Sequence, residues 1–166
     1  LRKIEDPHFH DPRVPWQAVA FVRRLSKENR ARLEAACFGH DIGKTTKYQA
    51  QPPSPGESEQ SYSFHGHEQD SFTVLLKNPV KYGDLDLSKD AVLLLAIKHH
   101  ALGYSLDKLE GLVAFVQDLR LAGITEEKEI ERACEFLIAL ATLDMMGSYL
   151  DSEGLELDMT GIQRLL

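Results

Sequence analysis

Three apolar helix faces in this chain each run on into histidine or aspartate, and this constrains the fold more than any other feature of the sequence. Leu33, Ala36 and Cys37 lead to His40, with Asp41 beside it; Val92, Leu95 and Ala96 lead to His99 and His100; Leu137 and Ala141 lead to Asp144. Residues three, four or seven positions apart share a helix face, so these polar side chains point towards the interior. A buried carboxylate without a partner costs several kcal/mol. The pattern therefore favours helices packed around a partner for these groups, and a bound cation meets that need.

The remaining apolar spacing is helical too. Pro15 is placed to begin a helix, a short helix is predicted from Glu68 to Lys77, and a long one begins near Thr125. Serines at the expected helix-cap positions are Ser26, Ser88 and Ser105. No segment shows convincing two-residue alternation, so we predict an all-α fold.

The length and composition suit one compact domain. At 166 residues and 43% hydrophobic, we take residues 1–166 as a single domain. The sequence begins at Leu1 without Met, which fits a segment of a longer polypeptide with further domains. It contains no apolar run of the roughly 18 residues that a membrane span requires, and no apolar signal core near its start. We therefore expect a cytoplasmic protein with no membrane contact.

The net charge of −7 limits the partners. Proteins that bind duplex DNA or RNA usually present a basic face to the phosphates, and this composition argues against one. The expected partner is a phosphorylated small molecule or a nucleic-acid end. The two cysteines, Cys37 and Cys134, fall on apolar helix faces and form no paired motif, so neither a disulfide framework nor a zinc knuckle is predicted.

The distribution of histidine adds to the case for a metal site. All seven histidines fall in four places along the chain: His8 and His10, His40, His65 and His67, and His99 and His100. Taken singly, the candidates have ordinary explanations. Asp144 suits a buried hydrogen-bond acceptor, His67 a helix N-terminus, and His99 a satisfied core histidine. These explanations must hold on several helices at once, whereas one metal site accounts for all of them.

The order of these residues carries a family resemblance. The pattern His40-Asp41-x-Gly43-Lys44, His67, His99-His100 and Asp144 resembles the HD-domain superfamily of metal-dependent phosphohydrolases, over most of the chain. The resemblance implies an all-helical HD-domain bundle with a central metal site that holds one or two divalent ions, Mn, Fe, Ni, Co or Mg. The implied activity is hydrolysis of a phosphoester of a nucleotide or nucleic-acid end through metal-activated water.

The resemblance also implies roles for the residues. One ion would lie on His40, Asp41 and Asp144, and a second on Asp41, His67, His99 and His100, so that Asp41 bridges. Asp41, Lys44 and His65 are then the candidate catalytic residues. Lys44 would contact a phosphate oxygen as a point charge, and His65 would act as a general acid. The alternatives are an exposed cation at a helix end for Lys44 and an ordinary loop residue for His65.

One position departs from the family pattern. Members of the superfamily usually carry a further metal-binding histidine on the helix before the HD pair. Gln17 stands at the expected place here, and His10 in the N-terminal segment is the candidate replacement. If neither binds, the first ion keeps only His40, Asp41 and Asp144.

Two branches of the superfamily are similar to this chain. Phe64-His65-Gly66-His67-Glu68 and Leu143-Asp144-Met145-Met146-Gly147 resemble the HD domains of tRNA nucleotidyltransferases and related RNA end-processing enzymes, which hydrolyse 2′,3′-cyclic phosphates and phosphomonoesters. His99-His100, His67-x-x-x-Ser71 and Tyr48-Gln49 resemble the HD nuclease of CRISPR-associated systems, which cuts single-stranded DNA. The same ligands also fit a di-iron HD oxygenase, and the missing upstream histidine fits a degenerate domain that binds without turnover.

Overall fold

The computed structural model of the protein describes residues 1–46, 49–51, 61–104 and 108–150. The α-helices in this part are α1 (Arg2–Glu5), α2 (Trp16–Gly39), α3 (His67–Lys77), α4 (Ala91–Lys98), α5 (Lys108–Leu121) and α6 (Glu127–Leu150). Short 3₁₀ turns cover Ile42–Thr45, Leu87–Lys89 and His100–Tyr104. The strands form two short antiparallel pairs, β1 (Gln49–Gln51) with β2 (Ser61–Ser63) and β3 (Lys81–Tyr82) with β4 (Leu85–Asp86). The all-α class is confirmed.

Helix α2 is longer than the sequence predicts and contains a kink. Pro15 precedes it as expected, because a proline at a helix start sacrifices no helical hydrogen bond. At Ser26 the helix continues, and the Ser26 hydroxyl donates to the carbonyl oxygen of Arg23 at 3.1 Å. The backbone leaves helical geometry at Asn29, where φ is −126° and ψ is 21°. The kink divides α2 into two helical segments, as expected, but it lies three residues beyond Ser26, so the prediction that Ser26 caps the second segment is wrong.

Helix α4 is capped by an aspartate rather than by Ser88. The Asp90 carboxylate accepts from the main-chain N–H of Leu93 at 3.0 Å and also receives two hydrogen bonds, of 2.7 and 2.6 Å, from Arg32 on α2. Ser88 lies in the preceding 3₁₀ turn and donates to Asp86. The cap thus ties α4 to α2. The third predicted cap, Ser105, lies outside the described residues.

The core lies where α2, α4 and α6 pack together. Leu33 on α2, Ile97 on α4 and Leu140 on α6 are fully buried. Residues 93–97 of α4 and 136–143 of α6 are buried without a break, which is typical of interior helices. His100 lies three residues after the first of these segments and Asp144 directly after the second, so both polar side chains are brought to the interior. Among the described helices, none is long and apolar enough to span a membrane.

Candidate metal centre

Five polar side chains from separate parts of the chain meet in the interior. They form two groups that could each hold a metal ion, and within each group the candidate ligand atoms lie within 4.8 Å of one another. The groups are His40, His100 and Asp144, and Asp41, His67 and His100. These residues come from the end of α2 and the turn after it, the start of α3, the 3₁₀ turn after α4, and α6. The structure therefore brings together five of the predicted ligands.

The three histidines of the centre are oriented in the same way. The Nδ1 atoms of His40, His67 and His100 lie 2.8, 2.9 and 2.6 Å from main-chain carbonyl oxygens three residues earlier. Those carbonyls belong to Cys37, Phe64 and Ile97. A carbonyl only accepts, so each Nδ1 carries a proton, and each ring, when neutral, presents an Nε2 lone pair to the centre. Such a bond commonly orients a metal-binding imidazole in proteins.

The carboxylate of Asp41 lies between the imidazoles. Its Oδ1 is buried, accepts no hydrogen bond within the described part of the chain, and lies 3.1 Å from His67 Nε2 and 3.9 Å from His100 Nε2. Its Oδ2 lies 3.3 Å from His40 Nε2 and 2.7 Å from Lys44 Nζ. A buried oxygen that faces imidazole lone pairs is unfavourable without a cation. The residues present therefore fit a divalent metal, and Asp41 reaches the histidines of both groups.

His40 and Asp144 are coupled between α2 and α6. Their Nε2 and Oδ1 atoms lie 3.2 Å apart. Burial lowers the pKa of His40, but the hydrogen bond to Asp144 and the charges of Asp41 and Asp144 outweigh it and hold that pKa above 6.5. Burial raises the pKa of Asp144, but the hydrogen bond and charge of His40 bring it below 3.8. A proton on His40 Nε2 must therefore leave before a metal binds there.

His100 is held in the opposite, neutral state. Its side chain is 1% exposed. Burial lowers the pKa of His100, and although the bond to the carbonyl of Ile97 raises it, the nearby His40 and His67 add to the depression. The lone pair of His100 Nε2 is thus available as a ligand at neutral pH.

Lys44 lies at the rim of the centre. Its Nζ is 2.7 Å from Asp41 Oδ2 and 5.7 Å from the centroid of the Phe64 ring, and its side chain is 36% exposed. An ammonium group that touches both a candidate ligand and solvent is well placed to meet an incoming anion. Its contact with a phosphate oxygen stays a prediction.

His99 does not join the centre, which corrects the expectation that both histidines of the pair face the metals. Its Nε2 lies 2.8 Å from Asp118 Oδ2 on α5, and its ring packs edge-on against Phe115. Lys98 Nζ donates to the same oxygen at 2.7 Å. Adjacent residues at a helix end point in different directions, so only His100 turns inward. Asp118 was not among the sequence candidates, although its charge beside the buried Phe115 and Leu119 was an available signal.

The other three sequence candidates also lie outside the two groups. His65 is exposed on the turn before α3. His10 and Gln17 are both exposed, and His10 lines a shallow depression with Phe9 and Trp16 at the N-terminal end of α2. The structure therefore supplies no replacement for the upstream histidine from either of these two residues, because their side chains face solvent rather than the core.

The fold and the centre together define a helical domain with a histidine–aspartate site suited to a divalent metal. The family model for the HD domain matches residues 13–134. The chain therefore belongs to the HD-domain family, part of the metal-dependent phosphohydrolase superfamily. The match includes four of the five converging residues and ends before Asp144, which the structure adds to the group. Searches among curated proteins and among solved structures gave no match.

Proposed function

We propose that this protein is a phosphohydrolase that cleaves a phosphoester of a nucleotide or of a nucleic-acid end, with two divalent ions. The observation that supports this best is the buried Asp41 Oδ1, which has imidazole nitrogens around it and no hydrogen-bond donor within the described residues. A carboxylate in that position is suited to bridge two cations. Bridged pairs of ions are common in enzymes that act on phosphate esters.

The proposed ligand sets follow the observed geometry. His40 and Asp144 would hold one ion, with Asp41 and His100 within reach of it, and Asp41, His67 and His100 would hold the other. His99, paired with Asp118, has no part in the second set. Three imidazoles with two carboxylates form a nitrogen and oxygen donor set that suits Mn, Fe, Ni or Co, and Mg less well because Mg prefers oxygen ligands alone.

The ions, when bound, supply Lewis acidity that activates water and neutralises charge on a phosphoryl group. The chain contributes the rest of the chemistry. The carbonyls behind His40, His67 and His100 keep the protons of these rings at Nδ1. Lys44 binds a non-bridging phosphate oxygen as a point charge when substrate displaces part of its contact with Asp41. His65, on the exposed turn before α3, is the proposed proton donor to the leaving oxygen.

The charge of the chain favours one class of substrate. The chain carries a net charge of −7, so a long duplex meets repulsion, whereas the terminal or cyclic phosphate of a short strand requires only a local positive centre. Two divalent ions and Lys44 would provide that centre. A nucleotide or strand end is therefore favoured over extended nucleic acid.

A domain that binds phosphate compounds without turnover is the second candidate. The observation that favours it is the exposure of His10 and Gln17, which leaves the first ion with His40, Asp41 and Asp144. Three ligands are enough for a catalytic site when open positions remain for water and substrate. The two candidates therefore differ in measured turnover rather than in ligand count.

The test is hydrolysis of a phosphomonoester, a phosphodiester and a 2′,3′-cyclic nucleotide by chelator-treated protein reloaded separately with Mn, Ni, Co and Mg. Turnover that His40→Ala abolishes is expected, and the preferred ester identifies the end-processing or the nuclease branch. Circular dichroism of the His40→Ala protein checks that it is folded. Stoichiometric metal binding with no turnover of any ester would overturn the hydrolase proposal in favour of a domain that binds without turnover. Dioxygen consumption by the iron-loaded protein would point to an oxygenase.

A further inference from the structure

The turn that follows Asp41 lies directly on helix α3. Gly43 is buried in the 3₁₀ turn Ile42–Thr45, and a Cβ at this position would overlap the carbonyl oxygen of His67 and the main-chain nitrogen of Ser71. Only a hydrogen atom fits between the two backbones. The segment that carries Asp41 and the helix that begins with His67 are therefore in backbone-to-backbone contact.

A buried serine hydroxyl joins these two segments. Ser71 is 0% exposed, and its Oγ accepts a hydrogen bond from the main-chain N–H of Gly43 at 2.8 Å, across 28 positions of sequence. A second, exposed tie lies at the rim, where Thr46 Oγ1 donates to Asp70 Oδ2 at 2.6 Å. Ser71 is the inner of the two and lies one helical turn beyond His67.

We propose that Ser71 is a positioning residue of the metal centre, whose hydroxyl sets the separation of Asp41 and His67. Gly43 is two residues after Asp41, and Ser71 is four residues after His67. The hydrogen bond between Gly43 and Ser71 therefore links the two segments close to both candidate ligands. The separation that it holds is the 3.1 Å between Asp41 Oδ1 and His67 Nε2. The inference rests on the metal-binding part of the proposed function.

The chemistry of the side chain supports this role over simple packing. Alanine would fill nearly the same volume without burying a hydroxyl group. What serine adds is an acceptor for the Gly43 N–H, which would otherwise be buried without a partner. A turn relieved of that bond is free to move away from α3 and take Asp41 with it. Loss of a hydrogen bond that supports a ligand commonly weakens metal binding about 10-fold to 100-fold.

The test compares Ser71→Ala with Ser26→Ala in the full chain. Ser26 is a matched control because it is also buried, at 5% exposed, but its hydroxyl donates to the carbonyl of Arg23 in its own helix and to no other group among the described residues. Each chelator-treated protein is titrated with Co²⁺, followed by calorimetry and by the visible absorption of the bound ion, and its thermal unfolding is measured without metal. Ser71→Ala is expected to weaken Co²⁺ binding at least 10-fold and to change the cobalt spectrum. Ser26→Ala is expected to leave both at wild-type values.

The possible outcomes separate this inference from the proposed function. Wild-type affinity and spectrum in Ser71→Ala, with Co²⁺ bound tightly by the wild-type protein, would overturn the positioning role and leave the metal centre intact. A lower unfolding temperature in Ser71→Ala with unchanged Co²⁺ affinity and spectrum would mean that Ser71 has a structural role only, and would also overturn the positioning role. Absence of Co²⁺ binding by the wild-type protein would overturn the metal centre and this inference together.

Discussion

His99 Nε2 lies 2.8 Å from Asp118 Oδ2, whereas His100, the next residue, turns its Nε2 to within 3.1 Å of His67 Nε2. The pair is therefore divided between two environments. The first imidazole belongs to an ion-paired cluster with Lys98 on the α5 side, and the second to the candidate metal centre.

This division predicts unequal effects of the same substitution at neighbouring positions. His100→Gln is expected to weaken Mn²⁺ or Co²⁺ binding at least 100-fold, because it removes a candidate ligand of both groups. His99→Gln is expected to change the affinity less than threefold, since amide and imidazole both serve as partners for Asp118. Calorimetric titration of the two variants measures this. Equal losses in both would show that His99 binds the ion after all.

Asp41→Asn separates metal binding from stability. The substitution removes the carboxylate that faces both groups, so metal affinity should fall by 100-fold or more. In the metal-free protein it also removes a charge whose buried Oδ1 has no donor among the described residues. The loss is a partly exposed ion pair with Lys44, which contributes about 1 kcal/mol at most. The melting temperature of the metal-free variant should therefore stay within roughly 4 °C of the wild type. A larger decrease would mean that Asp41 has a structural role.

Metal binding should release protons near neutral pH. The pKa of His40 is raised above 6.5 in the metal-free fold, so a proton competes for Nε2 and the metal affinity falls as the pH decreases through that raised pKa. Calorimetry at pH 7 in two buffers of different ionisation enthalpy counts the protons released. Release of the same number of protons by His40→Ala would show that the released proton does not come from His40.

The stability of the metal-free protein should change with pH in the opposite sense. A raised folded-state pKa means that protonated His40, paired with Asp144, stabilises the fold fully below about pH 6.5, the usual value in an unfolded chain. This contribution is lost as the pH rises through the folded-state pKa. The free energy of unfolding in urea, measured for the metal-free wild type and His40→Ala between pH 5.5 and 8.5, isolates this contribution. The same dependence on pH in the two proteins would exclude it.

Two glycine substitutions should move stability in opposite directions. Gly43→Ala places a methyl group against the backbone of α3 and should cost about 3 kcal/mol or more, which lowers the melting temperature by roughly 6–12 °C. Gly147→Ala lies on exposed α6 surface, where no atom of the described residues is within 4 Å of the new Cβ, and should stabilise the helix by about 0.5–1 kcal/mol. Thermal unfolding of both variants checks this. A tolerated Gly43→Ala would contradict the close contact of the turn with α3.

Lys44→Met should lower turnover of a phosphoester about 10-fold to 100-fold while metal affinity is kept or increased, because a positive charge is removed beside the ions. Lys89→Met is the matched control. Lys89 also pairs with an aspartate three residues earlier, Asp86, but its side chain is 82% exposed. Steady-state kinetics of the two variants, with calorimetric metal titration, measures both effects. Equal turnover in both variants would remove Lys44 from the mechanism.

The sequence predicted the helical class and the inward residues because both follow from helical periodicity. His40 and Asp144 extend apolar rows, and the structure places them 3.2 Å apart. The break in α2 was expected at Ser26 but lies at Asn29, because Ser26 is also acceptable inside a helix when its hydroxyl bonds to an earlier carbonyl.

Contacts between distant segments account for the remaining differences. The pairing of His99 with Asp118 depends on how α5 packs against the end of α4, which no local pattern in either segment encodes. The same holds for Ser71, whose partner is 28 residues away. Local spacing identifies which side chains point inward, and tertiary packing decides which of them meet.

The ligand atoms of the centre come from segments far apart along the chain, with His40 and Asp144 separated by 104 positions. An ion bound by both would hold these two segments together in the folded chain, and because the unfolded chain lacks the assembled site, the free energy of metal binding would add to the free energy of unfolding. The metal-loaded protein should then resist proteolysis and hydrogen exchange throughout α2 and α6. The supply of metal would in this way set the lifetime of the folded chain as well as its chemistry.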